Sequence, residues 1–479
     1  FFFGILLWLL ALRASLSIGS SMNLDIVILA AGKGTRMNSN LPKVLHRIGG
    51  DSMLGHVLSA ASQLQAAKTH IVVGFGADEI RENFADRADL QWAMQEQQLG
   101  TGHAVMQAMP GVDVSDSDKK ILVLYGDVPL INFDTLSKLV QQSETNTLSI
   151  LTLVTDRPTG LGRIVRDDGG KILAIVEEKD ASEEQKQIKE INTGIMVISA
   201  PKLNFWLDAL CNDNAQGEYY LTDVVAMAAT DADCALAAMV INDENEVQGV
   251  NDKAQLATLE RHYQMNKADQ LLEAGVLLRD PSRIDIRGEL TTGSDVEIDI
   301  NALFEGKVTL GNGVKVGANV CIKDSTIADN AHILPGSIIE GADIGERASV
   351  GPYAIIRPGT VLKQDTKIGN FVETKNAIIG KGSKASHLAY IGDAELGENV
   401  NIGAGTIFCN YDGVSKHKTL IGNNVFIGSN SVLVAPVKLA DNAFVAAGSS
   451  VNSDVPADTL AVGRAKQRNI SGWKRPTKK

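Results

Sequence analysis

The chain has 479 residues, of which 44% are hydrophobic and 21% are charged, and its formal net charge is −12. The length allows two or three globular domains, and the acidic balance excludes a general nucleic-acid binder, which needs a basic face. Four widely spaced cysteines form no C-x-x-C pair, which excludes zinc-ligand spacing and a disulfide framework and indicates reduced thiols in a cytoplasmic protein: Cys211, Cys234, Cys321 and Cys409.

Residues 1–21 differ from the rest in composition. Phe1–Leu12 is almost wholly apolar, and Arg13 is the only charged residue before Asp25. A secretory signal carries positive charge before its apolar core, and twelve residues are too few to span a bilayer. Because Met22 directly precedes the first predicted strand, we interpret 1–21 as translated upstream sequence or a mis-assigned start. A membrane-associating segment is the alternative.

From Asp25 to about Val250, apolar runs alternate with amphipathic stretches. The amphipathic stretches predict helices at Met53–Ala67 and Thr101–Met109, and the apolar runs predict strands at Asp25–Ala31, His70–Phe75, Leu90–Gln95, Lys120–Tyr125, Leu148–Val154 and Ile191–Ser199. This alternation predicts one domain, residues 22–250, with a mainly parallel sheet covered by helices on both faces. Ligands bind beyond the carboxyl ends of such strands, so residues that follow strands are the candidates for a site.

A glycine turn follows the first strand. Residues 29–36 read Leu-Ala-Ala-Gly-Lys-Gly-Thr-Arg, and Leu-Pro-Lys43 stands shortly beyond them. Glycines let the backbone approach a ligand closely, and successive N–H groups in such a turn bind anions. With Lys33, Arg36 and Lys43, this stretch predicts a phosphate site. It matches neither the P-loop nor the full dinucleotide fingerprint, so a plain structural turn is the alternative.

Polar residues follow two further strands. Residues 95–101, Gln-Glu-Gln-Gln-Leu-Gly-Thr, suit recognition of a base edge by amides, with a helix N-cap at Thr101 as the alternative. Asp127 lies between Gly126 and Pro129 after a buried strand. A carboxylate there can bind Mg²⁺, which uses one or two protein oxygens plus phosphates. An ordinary Asp turn is the alternative.

Three weaker candidates lie further along the domain. Glu177 ends the return strand of a hairpin and could accept hydrogen bonds from sugar hydroxyls. Asn192 and Asn251 stand beside apolar strand residues, and Asn251 is a candidate second oxygen for the metal. Each of them taken alone has a simpler structural explanation.

Together these motifs resemble a family. The glycine turn, the Leu-Pro-Lys43 segment and Tyr125-Gly126-Asp127 are similar to sugar-nucleotide pyrophosphorylases, which have a Rossmann-like nucleotidyltransferase domain. Finer matches, residues 95–101, 191–194 and 217–223, resemble the uridylyltransferases that make UDP-N-acetylglucosamine. Leu161 departs from the pattern, since an aromatic residue is expected there.

The composition changes after a predicted linker helix at residues 251–274. From about Val296 to Val455, aliphatic residues recur every six positions, clearest in the series Ile421, Ile427, Leu433, Leu439, Val445 and Val451. Such a repeat predicts a hexapeptide β-helix with about eighteen residues per coil. We assign residues 275–479, including a basic C-terminal tail, to this domain. Its resemblance to hexapeptide acyltransferases implies a left-handed coil, a homotrimer and active sites between adjacent prisms.

Interruptions of the coil are candidate sites. Phe408–Lys418 breaks the six-residue step and should project outward, while His387 in a β-helix coil is a candidate general base or a structural histidine. Arg357 and Lys375 could hold a phosphate, as a bidentate partner and a point charge.

The two halves together resemble the bifunctional bacterial enzymes that unite glucosamine-1-phosphate N-acetyltransferase and N-acetylglucosamine-1-phosphate uridylyltransferase. The similarity covers nearly all of the chain apart from residues 1–21. It implies that acetyl-CoA acetylates glucosamine 1-phosphate, that UTP then uridylylates the product, and that UDP-N-acetylglucosamine is supplied for peptidoglycan, lipopolysaccharide and other cell-envelope polymers.

The resemblance also implies roles for residues. In the first half, Arg36 and Lys43 would offset charge, Asp127 and Asn251 would hold Mg²⁺, and the nucleotide sugar would contact Leu29, Ala30, Ala31, Gly32, Gln95, Gln98, Gly100, Thr101, Tyr125, Gly126, Gly162, Glu177 and Asn192. In the second half, His387 would be the base. The sugar phosphate would meet Arg357, Lys375, Tyr390 and Asn401, and acetyl-CoA would meet Ala404, Asn410, Tyr411, Ser429, Ala447 and Arg464.

Three other functions are compatible with parts of the pattern. The β-helix of a single-function nucleotidyltransferase would be structural or regulatory, but it would not require His387 or the Asn410–Tyr411 loop. A UDP-sugar-binding regulator without turnover would not require Arg36, Lys43 and Asp127. A different acyl donor or amino sugar is the third alternative.

Overall fold

The computed structural model describes residues 22–144 and 147–477, so the apolar segment 1–21 and its interpretation lie outside the described residues. The chain divides into two compact units between Tyr263 and Gln264. Within the described ranges, no helix has the length and apolar character needed to cross a membrane.

The first unit contains a seven-stranded main sheet. Its strands, in spatial order, are Ala235–Ile241, Thr147–Val154, Glu190–Ser199, Lys120–Tyr125, Met22–Ala30, Ala66–Val73 and Leu90–Met94. Neighbouring strands are parallel, except that Glu190–Ser199 is antiparallel to both of its neighbours. A hairpin of Arg163–Arg166 and Ile172–Val176 joins the sheet where Arg163 pairs with Ile191. The prediction of a mainly parallel sheet is confirmed.

Helices cover both faces of this sheet. Alternate residues of its first strand enter two different cores, Ile26 and Ile28 on one side and Val27 and Leu29 on the other. The first core includes residues from Met53–Ser62, Ala77–Asn83 and Phe133–Gln142, and the second includes residues from Thr101–Ala108, Ala200–Asp208 and Asp223–Thr230. Short helical segments complete the unit: Thr35–Met37, Lys43–Leu45, Met109–Gly111, Gln185–Gln187 and Glu244–Val247.

Two features of this unit differ from the sequence-based expectation. The helix predicted at Met53–Ala67 ends at Ser62, because Gln65 takes a left-handed φ of 52° and the strand begins at Ala66 rather than His70. The strand Ala235–Ile241 was not predicted, since its alanines favour a helix in isolation. Pairing with Thr147–Val154 overrides that preference.

A helix at Lys253–Glu273 crosses the division between the units. The assignment of 251–274 as a separate linker stays a prediction.

The second unit is a β-helix with three columns of short parallel strands. One column contains Leu277–Leu278, Glu297–Ile298, Lys315–Val316, His332–Ile333, Ser349–Val350, Lys367–Asn370, Lys384–His387, Asn401–Ile402, Phe426–Ile427, Phe444–Val445 and Leu460–Ala461. The other two share Ile284–Thr292, Ala302–Leu310, Glu373–Ile379 and Tyr390–Leu396, which continue from one face to the next. The second column adds Cys321–Lys323, Ile338–Glu340, Ile355–Ile356, Ile407–Cys409, Val432–Val434 and Ser450–Val451. The third adds Thr326–Ile327, Asp343–Ile344, Val361–Leu362, Thr419–Ile421 and Val437–Leu439.

The six-residue series fills the interior of this coil. Ile421, Ile427, Leu433, Leu439, Val445 and Val451 are all buried, each with an exposed fraction of 5% or less. Most paired strands are 17 or 18 residues apart, as in Lys315 with His332 and Ser349 with Lys367. The predicted hexapeptide coil is therefore confirmed.

The interruption of the coil is shorter than predicted. Phe408 is buried in the core and belongs to the strand Ile407–Cys409, so the excursion starts at Asn410 rather than at Phe408. It ends before Thr419, where the next strand begins. The extra residues lengthen one coil, so that Asn401 pairs with Phe426, 25 positions on.

Candidate active sites in the two units

A cavity in the first unit opens at the carboxyl ends of three parallel strands: Met22–Ala30, Leu90–Met94 and Lys120–Tyr125. The predicted nucleotide residues in its lining are Leu29, Ala30, Ala31, Gly32, Lys43, Gln95, Gln98, Gly100, Thr101, Tyr125 and Asp127, and the remaining lining residues are Val44, Ala104 and Glu218. The glycine turn, the amide segment and the strand-end carboxylate therefore meet, as expected for a parallel sheet.

The glycine turn packs against Lys43. Gly34 has a φ of 61°, and a Cβ atom at this position would lie 2.6 Å from Lys43 Cβ. Only glycine fits this position without displacing the lysine. The turn thus helps to fix where the Lys43 side chain leaves the backbone.

The amide segment is tied to the turn by hydrogen bonds. Gln98 Nε2 donates to the Ala31 carbonyl at 2.7 Å, and Gln95 Nε2 donates to the Gly100 carbonyl at 3.1 Å. Gly100 packs closely against the backbone of Tyr219. A Cβ atom built at Gly100 would lie 2.6 Å from the Tyr219 carbonyl oxygen. These contacts preorganise polar groups at one wall of the cavity.

Lys43, Asp127 and Asn251 converge on one point. The Lys43 ammonium forms an ion pair with Asp127 Oδ2 and donates to Asn251 Oδ1 at 3.0 Å. The Val250 N–H also donates to the Asp127 carbonyl at 2.9 Å, which holds the two segments together. Two oxygen atoms thus face one cation.

This donor set fits Mg²⁺. The ion prefers oxygen ligands, keeps several waters, and takes only one or two carboxylates plus phosphates. In the part of the chain that the structure describes, no group of three or more His, Cys, Asp or Glu side chains could hold a metal by itself. Asp127 and Asn251 would therefore share the ion with water and the phosphates of a bound nucleotide.

The three predicted sugar-contacting residues are neighbours. The Asn192 N–H donates to the Gly162 carbonyl at 2.9 Å, and a Cβ atom at Gly162 would lie 3.4 Å from Glu177 Oε2. Burial raises the pKa of Glu177, although a 3.0 Å hydrogen bond from Thr222 Oγ1 opposes this shift. Asn192 and Asn251 line a second cavity that shares Tyr125 and Asp127 with the first.

Tyr125 lies where the two cavities adjoin. Burial, together with the negative charges of Glu177 and Asp127, raises the pKa of its phenol well above the ordinary value. The ring packs against Gly194, where a Cβ atom would come within 2.4 Å of it. Tyr125 is therefore a neutral hydroxyl at the boundary of the two cavities.

Four predicted residues of the first unit line neither cavity: Arg36, Gly126, Gly162 and Glu177. Arg36 is exposed on the short helix Thr35–Met37 and lines neither cavity. Gly126 is buried, and its N–H donates to the Leu29 carbonyl at 2.9 Å. Gly126 therefore joins two strand ends through its backbone.

In the second unit, His387 has a side-chain partner one coil earlier. Its Nδ1 lies 2.7 Å from Asn370 Oδ1. The two residues are directly paired in the strands Lys367–Asn370 and Lys384–His387. The contact thus follows from the register of the coil.

The same register aligns three of the six predicted acetyl-CoA residues, Ala404, Ser429 and Ala447, with His387. In the column that contains Lys384–His387, each of these residues and His387 itself lies two positions after a paired residue: His387 after Ala385, Ala404 after Ile402, Ser429 after Ile427 and Ala447 after Val445. Arg464 Nη1 donates to the Ala447 carbonyl at 2.9 Å. These residues form an edge along the coil, which we call the His387 edge.

Asn410 and Tyr411 begin the excursion. Asn410 is buried, and its Nδ2 donates to Asp393 Oδ2 and, at 3.4 Å, to the Tyr390 hydroxyl. Tyr411 is exposed, and its hydroxyl donates to the Gly413 carbonyl at 2.6 Å. The excursion is thus fixed at its start through Asn410.

Cations cluster where the sugar phosphate is predicted. The positive charges of Lys416 and Arg357 lower the pKa of Lys375. Arg357 also forms an ion pair of 2.9 Å with Glu373. Asn401 lies apart, on another column, where it pairs with Lys384 and Phe426.

Sequence reasoning missed several residues that line or support these sites: Glu218, Asn370, Glu373, Asp393 and Lys416. Glu218 stands within residues 217–223, a segment already noted for its resemblance. Asn370 precedes His387 by 17 positions, which is one coil of the repeat. That period is the signal that could have indicated the pair.

Comparisons with known proteins agree with this two-part organisation. Residues 26–185 match the MobA-like NTP transferase domain, residues 286–372 match the GMPPB C-terminal domain, and residues 418–453 match the bacterial transferase hexapeptide repeats. The predicted fold class, a Rossmann-like nucleotidyltransferase domain followed by a left-handed parallel β-helix, is confirmed.

Curated relatives match almost the whole chain. A protein of Marinobacter nauticus named bifunctional protein GlmU is 55% identical over 95% of this chain and 99% of its own length. Proteins of the same name from Stutzerimonas stutzeri and Pseudomonas syringae are 54% and 56% identical, over 96% and 95% of this chain and 100% and 99% of their own.

Proposed function

The chain belongs to the GlmU family of bifunctional enzymes that make UDP-N-acetylglucosamine, and we propose that its two reactions take place at two separate sites, one in each unit. The uridylyl site is the cavity around Lys43 and Asp127, and the acetyl site lies on the His387 edge.

The first reaction is N-acetylation of glucosamine 1-phosphate by acetyl-CoA. His387 takes a proton from the amine while the nitrogen attacks the thioester carbonyl; the C–S bond then breaks, and the thiolate of coenzyme A takes up a proton. Arg357, Lys375 and Tyr390 hold the sugar phosphate, with Asn401 as a further ligand. The cluster of cations around Lys375 supports this assignment.

Acetyl-CoA lies along the His387 edge. Ala404, Ser429 and Ala447 line it, and Asn410 and Tyr411 come from the excursion. Arg464 in the basic tail contacts the phosphates of the cofactor. The shared register of Ala404, Ser429 and Ala447 supports this assignment, because a ligand extended along the coil axis would meet them in succession.

In the second reaction, the phosphate of N-acetylglucosamine 1-phosphate attacks the α-phosphorus of UTP and pyrophosphate leaves. Positioning and charge neutralisation carry most of such an in-line displacement. Gln95, Gln98, Gly100 and Thr101 hold uracil, while Gly162, Glu177 and Asn192 hold the sugar. Mg²⁺ on Asp127 and Asn251 would offset the charge of the phosphates. Lys43, with Arg36 at the glycine turn, adds positive charge.

The observation that carries the uridylyl site is the convergence of Lys43, Asp127 and Asn251 at a cavity lined by the amide segment. For the acetyl site, the observation is the alignment of His387 with Ala404, Ser429 and Ala447. The enzyme works as a homotrimer in the cytoplasm and supplies precursors of the cell envelope, as the resemblance implies.

Two half-reactions of the purified full chain test the proposal. Thiol release is followed with acetyl-CoA and glucosamine 1-phosphate, and pyrophosphate release is followed with UTP and N-acetylglucosamine 1-phosphate, with and without Mg²⁺. Both activities should be present, and pyrophosphate release should require the metal. Pyrophosphate release without acetyl transfer would favour a single-function nucleotidyltransferase instead.

A further inference from the structure

The side chain of Asn370 is not used in the mechanism above, yet it contacts the ring of the base. The distance between His387 Nδ1 and Asn370 Oδ1 is 2.7 Å. A carboxamide oxygen can only accept a hydrogen bond, so the proton of a neutral imidazole must lie on Nδ1. The second nitrogen, Nε2, is then left with a free lone pair, as a base requires.

Backbone structure holds both partners at the same corner. The strands Lys367–Asn370 and Lys384–His387 are paired, and the Leu388 N–H donates to the Asn370 carbonyl at 3.0 Å. The residues that follow the two partners, Phe371 and Leu388, take similar left-handed φ values of 57° and 45°. Because successive coils turn with the same backbone geometry, the backbone places the Asn370 amide beside the His387 ring.

We propose that Asn370 is a positioning residue for acetyl transfer, whose amide oxygen holds His387 in the tautomer that leaves Nε2 free to accept the amine proton. This inference rests on the proposed role of His387 as the base. It adds a residue one coil away whose only contribution is to orient that base.

An uncharged partner suits this role. A carboxylate at position 370 would fix the same tautomer but would also stabilise the imidazolium and raise the pKa of His387. An amide orients the ring without adding charge. The charged and titratable groups on the neighbouring segments are Lys367 on the preceding coil, Lys384 on the same strand, and Tyr390, Asp393 and Glu395 on the following strand.

Two substitutions test the inference in the full chain. Asn370→Ala removes the acceptor, and kcat for acetyl transfer should fall by roughly ten- to a hundredfold, less than when the base itself is removed. Asn370→Asp keeps the acceptor and the shape. Its activity at high pH should remain close to that of the wild type, while the acidic limb of the kcat profile should move up by about one pH unit.

Asn319→Asp is the matched control. Asn319 also lies at a corner of the coil, with a left-handed φ of 58°, and its side-chain oxygen accepts from Asn301 Nδ2 at 2.9 Å. The same change there adds the same charge far along the sequence from His387. It should leave the pH profile of acetyl transfer unchanged.

The pH profile of Asn370→Asp decides the question. A profile identical to that of the wild type would overturn the positioning role, even if Asn370→Ala lost activity by misfolding. His387→Ala, assayed in parallel, separates this failure from that of the proposed function. If His387→Ala kept acetyl transfer, the proposed base would be wrong. If His387→Ala lost acetyl transfer but Asn370→Asp kept the wild-type pH profile, His387 would remain the base and the positioning role of Asn370 would be wrong.

Discussion

The ammonium of Lys43 forms an ion pair with the carboxylate of Asp127, although Lys43 begins the short helix Lys43–Leu45 and Asp127 follows the strand Lys120–Tyr125. The same ammonium donates to Asn251 Oδ1 at 3.0 Å. The lysine cation thus contacts both oxygen ligands proposed for Mg²⁺ and compensates the negative charge of Asp127.

Asp127→Asn should reduce pyrophosphate release by roughly a hundred- to a thousandfold, because the change removes a charged metal ligand and the partner of Lys43. Acetyl transfer should continue. The two half-reactions are measured on the same preparation over a range of Mg²⁺ concentrations. Asp156→Asn, which alters an exposed ion pair with Lys189, is the control and should change neither rate. An equal loss of both activities would contradict two separate sites.

His387→Ala should lower acetyl transfer by roughly a hundred- to ten-thousandfold, since it removes the general base. Pyrophosphate release from UTP and N-acetylglucosamine 1-phosphate should be unchanged. The matched control is His332→Ala, because His332 is an exposed histidine on a strand of the same column. Acetyl transfer at the wild-type rate in His387→Ala would exclude this histidine as the base.

Lys375→Gln should raise the KM for glucosamine 1-phosphate about tenfold, with a smaller change in kcat, because a charge-assisted contact to phosphate is lost. The neighbouring cations of Lys416 and Arg357 lower the pKa of Lys375. As pH rises, the charge of Lys375 is therefore lost earlier than that of an ordinary lysine, and KM should rise on the alkaline side. Lys363→Gln, an exposed lysine of the same unit, should leave KM unchanged.

Gly34→Ala should impair uridylyl transfer and destabilise the first unit by about 1 kcal/mol or more, because a side chain is strained at this φ. The added methyl would also lie 2.6 Å from Lys43 Cβ. Thermal unfolding and pyrophosphate release measure the two effects. Gly170→Ala shares a positive φ, of 83°, but meets nothing within 4 Å. Gly170→Ala should therefore lower stability but leave pyrophosphate release unchanged. If Gly170→Ala and Gly34→Ala lost pyrophosphate release equally, the role assigned to the contact with Lys43 would be wrong.

A buried ionic group outside both sites should control acid stability. Asp25 is fully buried, with Lys119 Nζ at 2.7 Å and His70 Nε2 at 3.5 Å. Burial by itself would raise the pKa of Asp25, but the contacts with His70 and Lys119 outweigh it, so the pKa lies below its ordinary value. Because the folded pKa is lower than the unfolded one, this stabilisation is present above pH 4 and is lost as pH falls through the folded pKa.

Asp25→Asn should therefore destabilise the first unit by about 3–5 kcal/mol near neutral pH, because it leaves a buried lysine without its charged partner. The difference from the wild type should shrink as the solution becomes more acidic. Denaturant unfolding as a function of pH measures both effects. Asp89→Asn, at an exposed pair with Arg87, is the control and should cost little. A constant difference at all pH values would contradict the ionic explanation.

Much of the architecture was predictable because its signals are local. The six-residue period predicted which aliphatic residues of the coil are buried, and the alternation of apolar runs predicted the strands of the first sheet. The strand Ala235–Ile241 escaped prediction because alanine-rich sequence favours a helix, and only pairing with Thr147–Val154 makes it a strand. The burial of Phe408 likewise depends on where the excursion leaves the coil.

The sequence by itself determined the alternation of strands and helices in the first unit and the six-residue period of the second. It also determined the chemistry of the glycine turn and the candidate residues at strand ends, because periodicity and turn chemistry act over a few residues. Only the tertiary structure decided which candidates meet. Lys43 and Asn251 are 208 positions apart, and sheet topology brings their side chains within 3.0 Å. It also placed Arg36 outside the cavity lining and Asn370 against His387. These contacts depend on the packing and register of distant segments, which no local pattern specifies.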